Sequence, residues 1–350
     1  MLDTELLSRI CKVPGAPGFE QLVRKLIMEE LEDYVDEIEL DAMGNLIAIR
    51  RGTSSDESIM LASHMDEISF VVTYIDDDGF LRLQPLGGFD PKTLTAQRVI
   101  VHGKKDIMGV MGSKPIHIMK PEERKKMPHI TDFFIDTGLS KKEIDKIVSI
   151  GDPVTREREL ITMGDCINSK SLDNRVSVYI QLEAMKQLAK KKLPMDVYAV
   201  FTVQEEVGLR GARAAASGIN PDFSIALDVT LACDVPDTAP QNHITKLGKG
   251  TAIKVLDGRA ICDYRMVKFM KQQAKKNKID YQLEVLPAGG TDTAALQQDA
   301  NGGSIAGAIS IPCRYLHQSI EMCHKKDIQD SIDLLKACLM NMNKYDWSFK

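Results

Sequence analysis

Residues able to hold a cation or carry a proton recur directly after apolar runs of this chain. His64 and Asp66 follow "SIMLAS", Glu205 and Glu206 follow "AVFTVQ", Asp228 sits within "IALDV", and His317 follows "ISIPCRYL". Asp173 opens a helical stretch after a loop. Each alone has an ordinary structural explanation. "HMD" can be a surface pair, Glu205–Glu206 a solvated helix start, Asp173 an N-cap, and His317 a satisfied structural histidine. Asp228 is harder to explain that way, because an unpaired carboxylate in an apolar run is costly to bury. Considered jointly, two histidines with Asp173, Glu206 and Asp228 suit two borderline divalent cations that accept imidazole nitrogen and carboxylate oxygen. A carboxylate bridging two such ions is a common hydrolytic arrangement. An acid left free of the ions can then take a proton from the attacking water.

Such a site needs elements that bring distant residues to one rim. Helical periodicity marks 3–12 and 18–33, and "IELDAMGNLIAIRRG" reads as a hairpin turning at Gly44-Asn45. From 69 to 163 the texture changes to short β-like segments broken by Gly, Pro and charged loops, as in a small β-rich domain. Beyond Asp165, α/β alternation begins: a helix over 172–191, a buried strand "DVYAVFTV", a helix at "GARAAASG" and another buried strand "FSIALDV". A helix over 261–277, a strand "YQLEVLP", a helix start at "TDTAALQQ", a strand "GAISIP" and a closing helix complete the pattern. In open α/β sheets ligands collect beyond the carboxyl ends of the strands. That is where the candidate residues lie. His102, His117, His129, His243 and His324 follow no strong strand of the α/β region and are not favoured as ligands.

Composition narrows the function classes. The 350 residues are 43% hydrophobic and 27% charged, with a formal net charge of −5. That mild acidity argues against nucleic acid as the main partner. The basic runs "KPEERKK" and "KQLAKKKL" read as solvated loop and helix faces. No apolar run is long enough to span a bilayer. "MLDTELLSRICKV" shows no basic-then-apolar leader, so no signal peptide is expected. The seven cysteines form no CxxC pair or disulfide-like framework. A reduced, cytoplasmic protein with no membrane partner is expected.

The motifs "SHMDEISFVV", "NSKSLDNR", "VQEEVGLRGA", "ALDVT", "PAGGTDTAAL" and "IPCRYLHQSIEM" run in order over nearly the whole chain. In them the chain resembles the M42 family of dinuclear metallo-aminopeptidases, which includes glutamyl and tetrahedral aminopeptidases. The resemblance implies an α/β fold, a mixed-sheet three-layer peptidase domain formed by 1–68 and 164–350. Residues 69–163 would form an inserted small β-rich dimerisation domain. It implies that His64 binds one metal and His317 the other, with Asp173 bridging both. Asp228 would complete the first site and Glu206 the second, Glu205 would act as general base, and Asp66 would tune the His64 side. Implied cofactors are two divalent ions per subunit, Zn2+ foremost, with Co2+ or Mn2+ as alternatives. Implied partners are peptides with a free N-terminus and further copies of the chain, as dimers building a hollow dodecamer.

Three alternatives are carried forward. M20-type deacylases and dipeptidases use a similar set of ligands but resemble a pattern with the insertion after the Glu-Glu motif. An endoglucanase-type glycosidase would use paired acids without the histidines. A non-catalytic assembly protein would keep only the fold. Phe89 in "GGFDP" stands where relatives often carry Trp, and Gln318-Ser319-Ile320 stand where "HSPxE" is more familiar. The walls of the substrate pocket are expected from loops near 230–245 and 287–293, with the acids of "LACDVPDTAPQNH" suited to basic side chains.

Overall fold

The strand Ser58–His64 is buried along almost its whole length, so its alternate residues must be apolar toward both faces. Ile59 and Leu61 enter one core cluster, Met60 and Ala62 another. This strand lies near the middle of an eleven-stranded mixed sheet in a computed structural model that describes residues 2–349. Asp196–Thr202, Ser58–His64, Phe223–Leu231 and Ile305–Arg314 run parallel as successive neighbours. Antiparallel strands flank them. Leu46–Arg50 and Glu37–Leu40 form the hairpin on one side. Glu321–His324, Cys166–Ser169 and Ile161–Met163 extend the other.

Helices cover both faces. Thr4–Lys12, Leu172–Leu188, Tyr264–Asn277 and Lys325–Leu339 bury Leu6, Val176, Phe269 and Leu335 in the first cluster. Arg210–Ile219 and Asp292–Asp299 cover the second face with Leu296 and with Ala215 and Ala216, the alanines small enough for close approach. The helix Leu172–Leu188 is buried nearly all round, as expected of an element sandwiched between sheet and further helices.

Between His64 and Asp173 the chain closes a six-stranded barrel. Its strands are Ser69–Ile75, Leu81–Leu86, Phe133–Asp136, Asp106–Ser113, Arg98–His102 and Pro153–Arg156, in that spatial order. Phe70, Val101, Phe133, Ile135 and Val154 form its own core. The barrel's last strand ends at Arg156, and Ile161–Met163 pairs with the large sheet. Among the described residues, no helix is long and apolar enough to cross a membrane.

Candidate metal centre

The four parallel strands deliver their chemistry at one rim. His64 ends the first strand, Glu205 and Glu206 follow Thr202, Asp228 lies in Phe223–Leu231, and His317 follows Arg314. Asp173 enters from a loop whose Ser171 takes left-handed backbone, and the Asp173–Asn174 peptide is cis. Asp173 itself is non-helical, with φ −77° and ψ 106°. The loop bearing the two glutamates is tied down by Asn45. Its Oδ1 accepts from Val203 N at 2.9 Å and its Nδ2 donates to Gly211 O at 2.9 Å. A side chain at Gly211 would meet Asn45 Oδ1 at 2.3 Å, so only glycine permits that approach.

All the candidate ligands converge. His64 Nε2 stands 3.2 Å from Asp173 Oδ1, 3.7 Å from Asp228 Oδ1 and 3.9 Å from Glu205 Oε2. His317 Nε2 stands 3.2 Å from Asp173 Oδ2 and 3.8 Å from Glu206 Oε2. Two ligand groups result, His64–Asp173–Asp228 and Asp173–Glu206–His317, each able to hold a metal ion. Asp173 belongs to both and turns a different oxygen toward each histidine. Among the described residues, neither group includes any of the other five histidines.

The outer ring nitrogens settle the tautomers. His64 Nδ1 faces the Asp66 carbonyl at 3.1 Å and His317 Nδ1 faces the Gly88 carbonyl at 3.0 Å. A carbonyl only accepts, so each Nδ1 carries a hydrogen. In the neutral ring, Nε2 then offers its lone pair inward, as a metal ligand must.

The acids crowd one another. Burial, with the Asp173 carboxylate adding to it, pushes Glu206 up to about 8. Burial likewise pushes Asp228 up to about 8, against the pull of His64. Glu205 is raised well above its ordinary value, by burial first and then by Asp228, Asp292 and Glu206, with His64 opposing. Asp173 moves the other way. Burial would raise it, but hydrogen bonds from His317 and His64 outweigh burial and hold it low. Burial opposes the charged form of His317, yet Asp173 and Glu206 raise its pKa to about 10. So dense an acid cluster requires positive charge, as protons or as divalent cations. The buried Oε1 of Glu206 has no hydrogen-bond partner among the described residues, although it stands at a ligand position. An unpaired carboxylate oxygen beside an N/O donor set fits a borderline divalent ion.

Support comes from residues around the ligands. Asp66 accepts the backbone N–H groups of Glu205 and Glu206. Glu321 Oε2 accepts the N–H of Asp173 at 2.8 Å. Thr202 donates to Asp292 at 2.6 Å, and burial pushes this aspartate up to about 6. Asn45, Glu321 and Asp292 were not singled out from sequence. "TDTAAL" was read only as a helix start, and Asp292 does open the helix Asp292–Asp299.

The ligands open on a cavity of about 450 Å³, in the range of small-molecule sites. Its remaining wall includes Thr230, Lys254, Arg259, Leu286, Gly290 and Thr291. The expected wall at 287–293 is present, but of 230–245 only Thr230 reaches the cavity. The acids of that loop do not line it: Asp234 is bound by Arg314 at 2.7 Å, which turns its charge away. Lys254 is held by Asp257 at 2.9 Å and Glu284 at 3.1 Å.

A sequence profile of the family described as M42 glutamyl aminopeptidase matches residues 44–334. A putative aminopeptidase of Acetivibrio thermocellus is 42% identical over 95% of this chain and 96% of its own. The aminopeptidase APDkam598 of Desulfurococcus kamchatkensis superposes with a TM-score of 0.92 at 39% identity, covering 96% of this chain and 94% of that one. The TET1 peptidase of Pyrococcus horikoshii, solved as a protein that assembles into a tetrahedron or a large octahedral shell, superposes with a TM-score of 0.87 at 34% identity. It covers 96% of this chain and 99% of its own.

Proposed function

The chain belongs to the M42 glutamyl aminopeptidase family, and from that premise we propose that it hydrolyses N-terminal residues from peptides with two divalent cations and a glutamate base. The observation that carries this reading is Asp173, whose two oxygens face two separate histidine-containing groups. His64 and Asp228 would hold one ion, His317 and Glu206 the other, with Asp173 common to both. Zn2+ suits the donors best, and Co2+ or Mn2+ suit them next. Bound there, the pair supplies Lewis-acid polarisation of the scissile carbonyl and acidifies a water.

The chain's own groups do the rest. Glu205 stands 3.9 Å from His64 at the edge of the first group and is in neither ligand set. It is placed to take the water's proton and return it to the leaving amine. Asp66 fixes both glutamates by their backbones. Cavity walls around Leu286 and Gly290 receive the side chain of the residue to be removed.

The domain reading stands beside this one. Residues 1–68 and 164–350 form the catalytic unit, and the barrel inserted between them is the dimerisation unit of a larger homo-oligomer. The shell assembly of the Pyrococcus horikoshii relative supports that reading. The glycosidase alternative gains nothing from the geometry, because its paired acids would not need two histidines oriented with Nε2 inward.

A scan of aminoacyl reporter substrates, with stripped protein reloaded with zinc, cobalt or manganese, tests the proposal. Turnover only after reloading, confined to substrates with a free α-amino group, is expected. Undiminished activity in excess EDTA would overturn it.

A further inference from the structure

The loop that carries His317 is fastened from the barrel. Tyr315 and His317 both take left-handed backbone, φ 63° and 59°, which residues other than glycine hold only when their surroundings over-determine it. Three bonds cross to this loop. His317 Nδ1 donates to Gly88 O at 3.0 Å and Ser319 Oγ donates to Thr93 O at 2.7 Å. Arg156, the last residue of the barrel strand Pro153–Arg156, donates through Nη1 to the carbonyl of Gln318.

Both departures from the family pattern meet here. Gln318 and Ser319 supply the loop side of the contacts. Phe89 stacks on Phe70 with ring centroids 4.4 Å apart, and the Arg156 guanidinium lies 5.9 Å from the centroid of Phe89. Arg156 is only 4% exposed. Its Nη2 lies 3.9 Å from Glu67, the residue that follows Asp66. Its charge also acts on Glu321, which holds the backbone of Asp173. A guanidinium presents its donors in one rigid plane, so the bond to the Gln318 carbonyl fixes its orientation, while Nε and Nη2 make no hydrogen bond among the described residues.

We propose that Arg156 is a positioning residue for the second ligand group. By holding the Gln318 carbonyl it sets where His317 Nε2 stands relative to Asp173 and Glu206. The barrel thereby governs the affinity of the ion held there more than that of the ion held by His64 and Asp228, which Arg156 reaches only through Glu67 and through Glu321 behind Asp173. The inference rests on the two-ion reading above.

Calorimetric titration of the EDTA-stripped full chain with Co2+, with bound ions per chain counted by elemental analysis, tests it. In Arg156→Met one ion should weaken roughly 10–100-fold, the usual consequence of losing a residue behind a ligand, while the other changes far less. Arg156→Lys should recover part of the loss, and Ser319→Ala should weaken the same ion to a smaller degree. Unchanged affinity for both ions in all three variants would overturn the proposal. Equal weakening of both ions alongside a lower Tm would overturn it too, since that is the mark of a general scaffold residue. If Arg156→Met does not fold, Arg156→Lys and Ser319→Ala decide by the same criteria. A parent chain that takes fewer than two ions would instead refute the two-ion reading.

Discussion

One oxygen of Asp66 accepts the backbone N–H of Glu205 at 3.0 Å, and its other oxygen takes that of Glu206 at 3.1 Å. The same residue's carbonyl receives His64 Nδ1. A single buried aspartate therefore aims the proposed base and a ligand of each group. Replacing Asp66 by Asn turns one acceptor into an N–H donor facing an N–H. We expect kcat/KM to fall about 10–100-fold and metal affinity to fall with it. Side-by-side metal titration and reporter kinetics check this, and a variant with parental values for both would refute it.

Glu205 and Asp173 should separate chemistry from binding. Glu205→Gln should lower kcat by roughly 10²–10⁴-fold, the span of general-base catalysis, with both ions retained. Asp173→Ala should release both ions, because the two groups share that carboxylate. Elemental analysis of the two purified variants distinguishes these outcomes. Loss of one ion only from Asp173→Ala would contradict the shared role.

Metal loading should release protons. Glu206 and Asp228, each pushed up to about 8, are largely protonated at pH 7 in the metal-free protein. A cation binds the ionised carboxylates and displaces those protons. Release should be larger at pH 6.5 than at pH 9, where these acids are already ionised. Calorimetry in buffers of different ionisation enthalpy reads the number directly, and a release that grew with pH would sink the assignment.

Glu67 offers a prediction about stability alone. It is fully buried, bonded to Lys170 at 2.7 Å, with Arg175 Nη2 at 3.6 Å. Burial would raise it, but Lys170, Arg175 and Arg156 outweigh that and lower it from 4.5 to about 2. A depressed carboxylate stabilises the fold fully above its unfolded value, and this stabilisation is lost as pH falls from about 4.5 toward 2. Glu67→Gln leaves buried cations short of a partner and should cost about 3–5 kcal/mol at neutral pH. Urea unfolding at pH 7 and pH 3.5 should show the gap between parent and variant narrowing in acid. A gap that widened would contradict the sign.

The parallel centre of the sheet was readable because doubly buried strands leave continuous apolar runs such as "VYAVFTV" and "FSIALDV". The residues at their ends were therefore nameable, and His64, Asp173, Glu206, Asp228 and His317 do lie together. Glu321 and Asn45 were not readable. Each is an ordinary polar residue in sequence, and only tertiary packing places its side chain against the backbone of a site residue. The cavity wall was misplaced for a similar reason. Asp234 looks available as a letter, but Arg314 claims it in three dimensions. Barrel closure was also hidden, since short strands broken by glycines carry composition but not the order in which they pair.

Strands adjacent in the sheet are far apart in the chain: Ser58–His64 touches Asp196–Thr202 on one side and Phe223–Leu231 on the other. The final ligand arrives only with residue 317. A polypeptide still being synthesised therefore carries at most one of the two ligand groups until His317 has been added. A chain of this proposed activity would stay latent beside its own ribosome, and a premature stop upstream of His317 would yield a fragment without hydrolytic power rather than an unregulated peptidase.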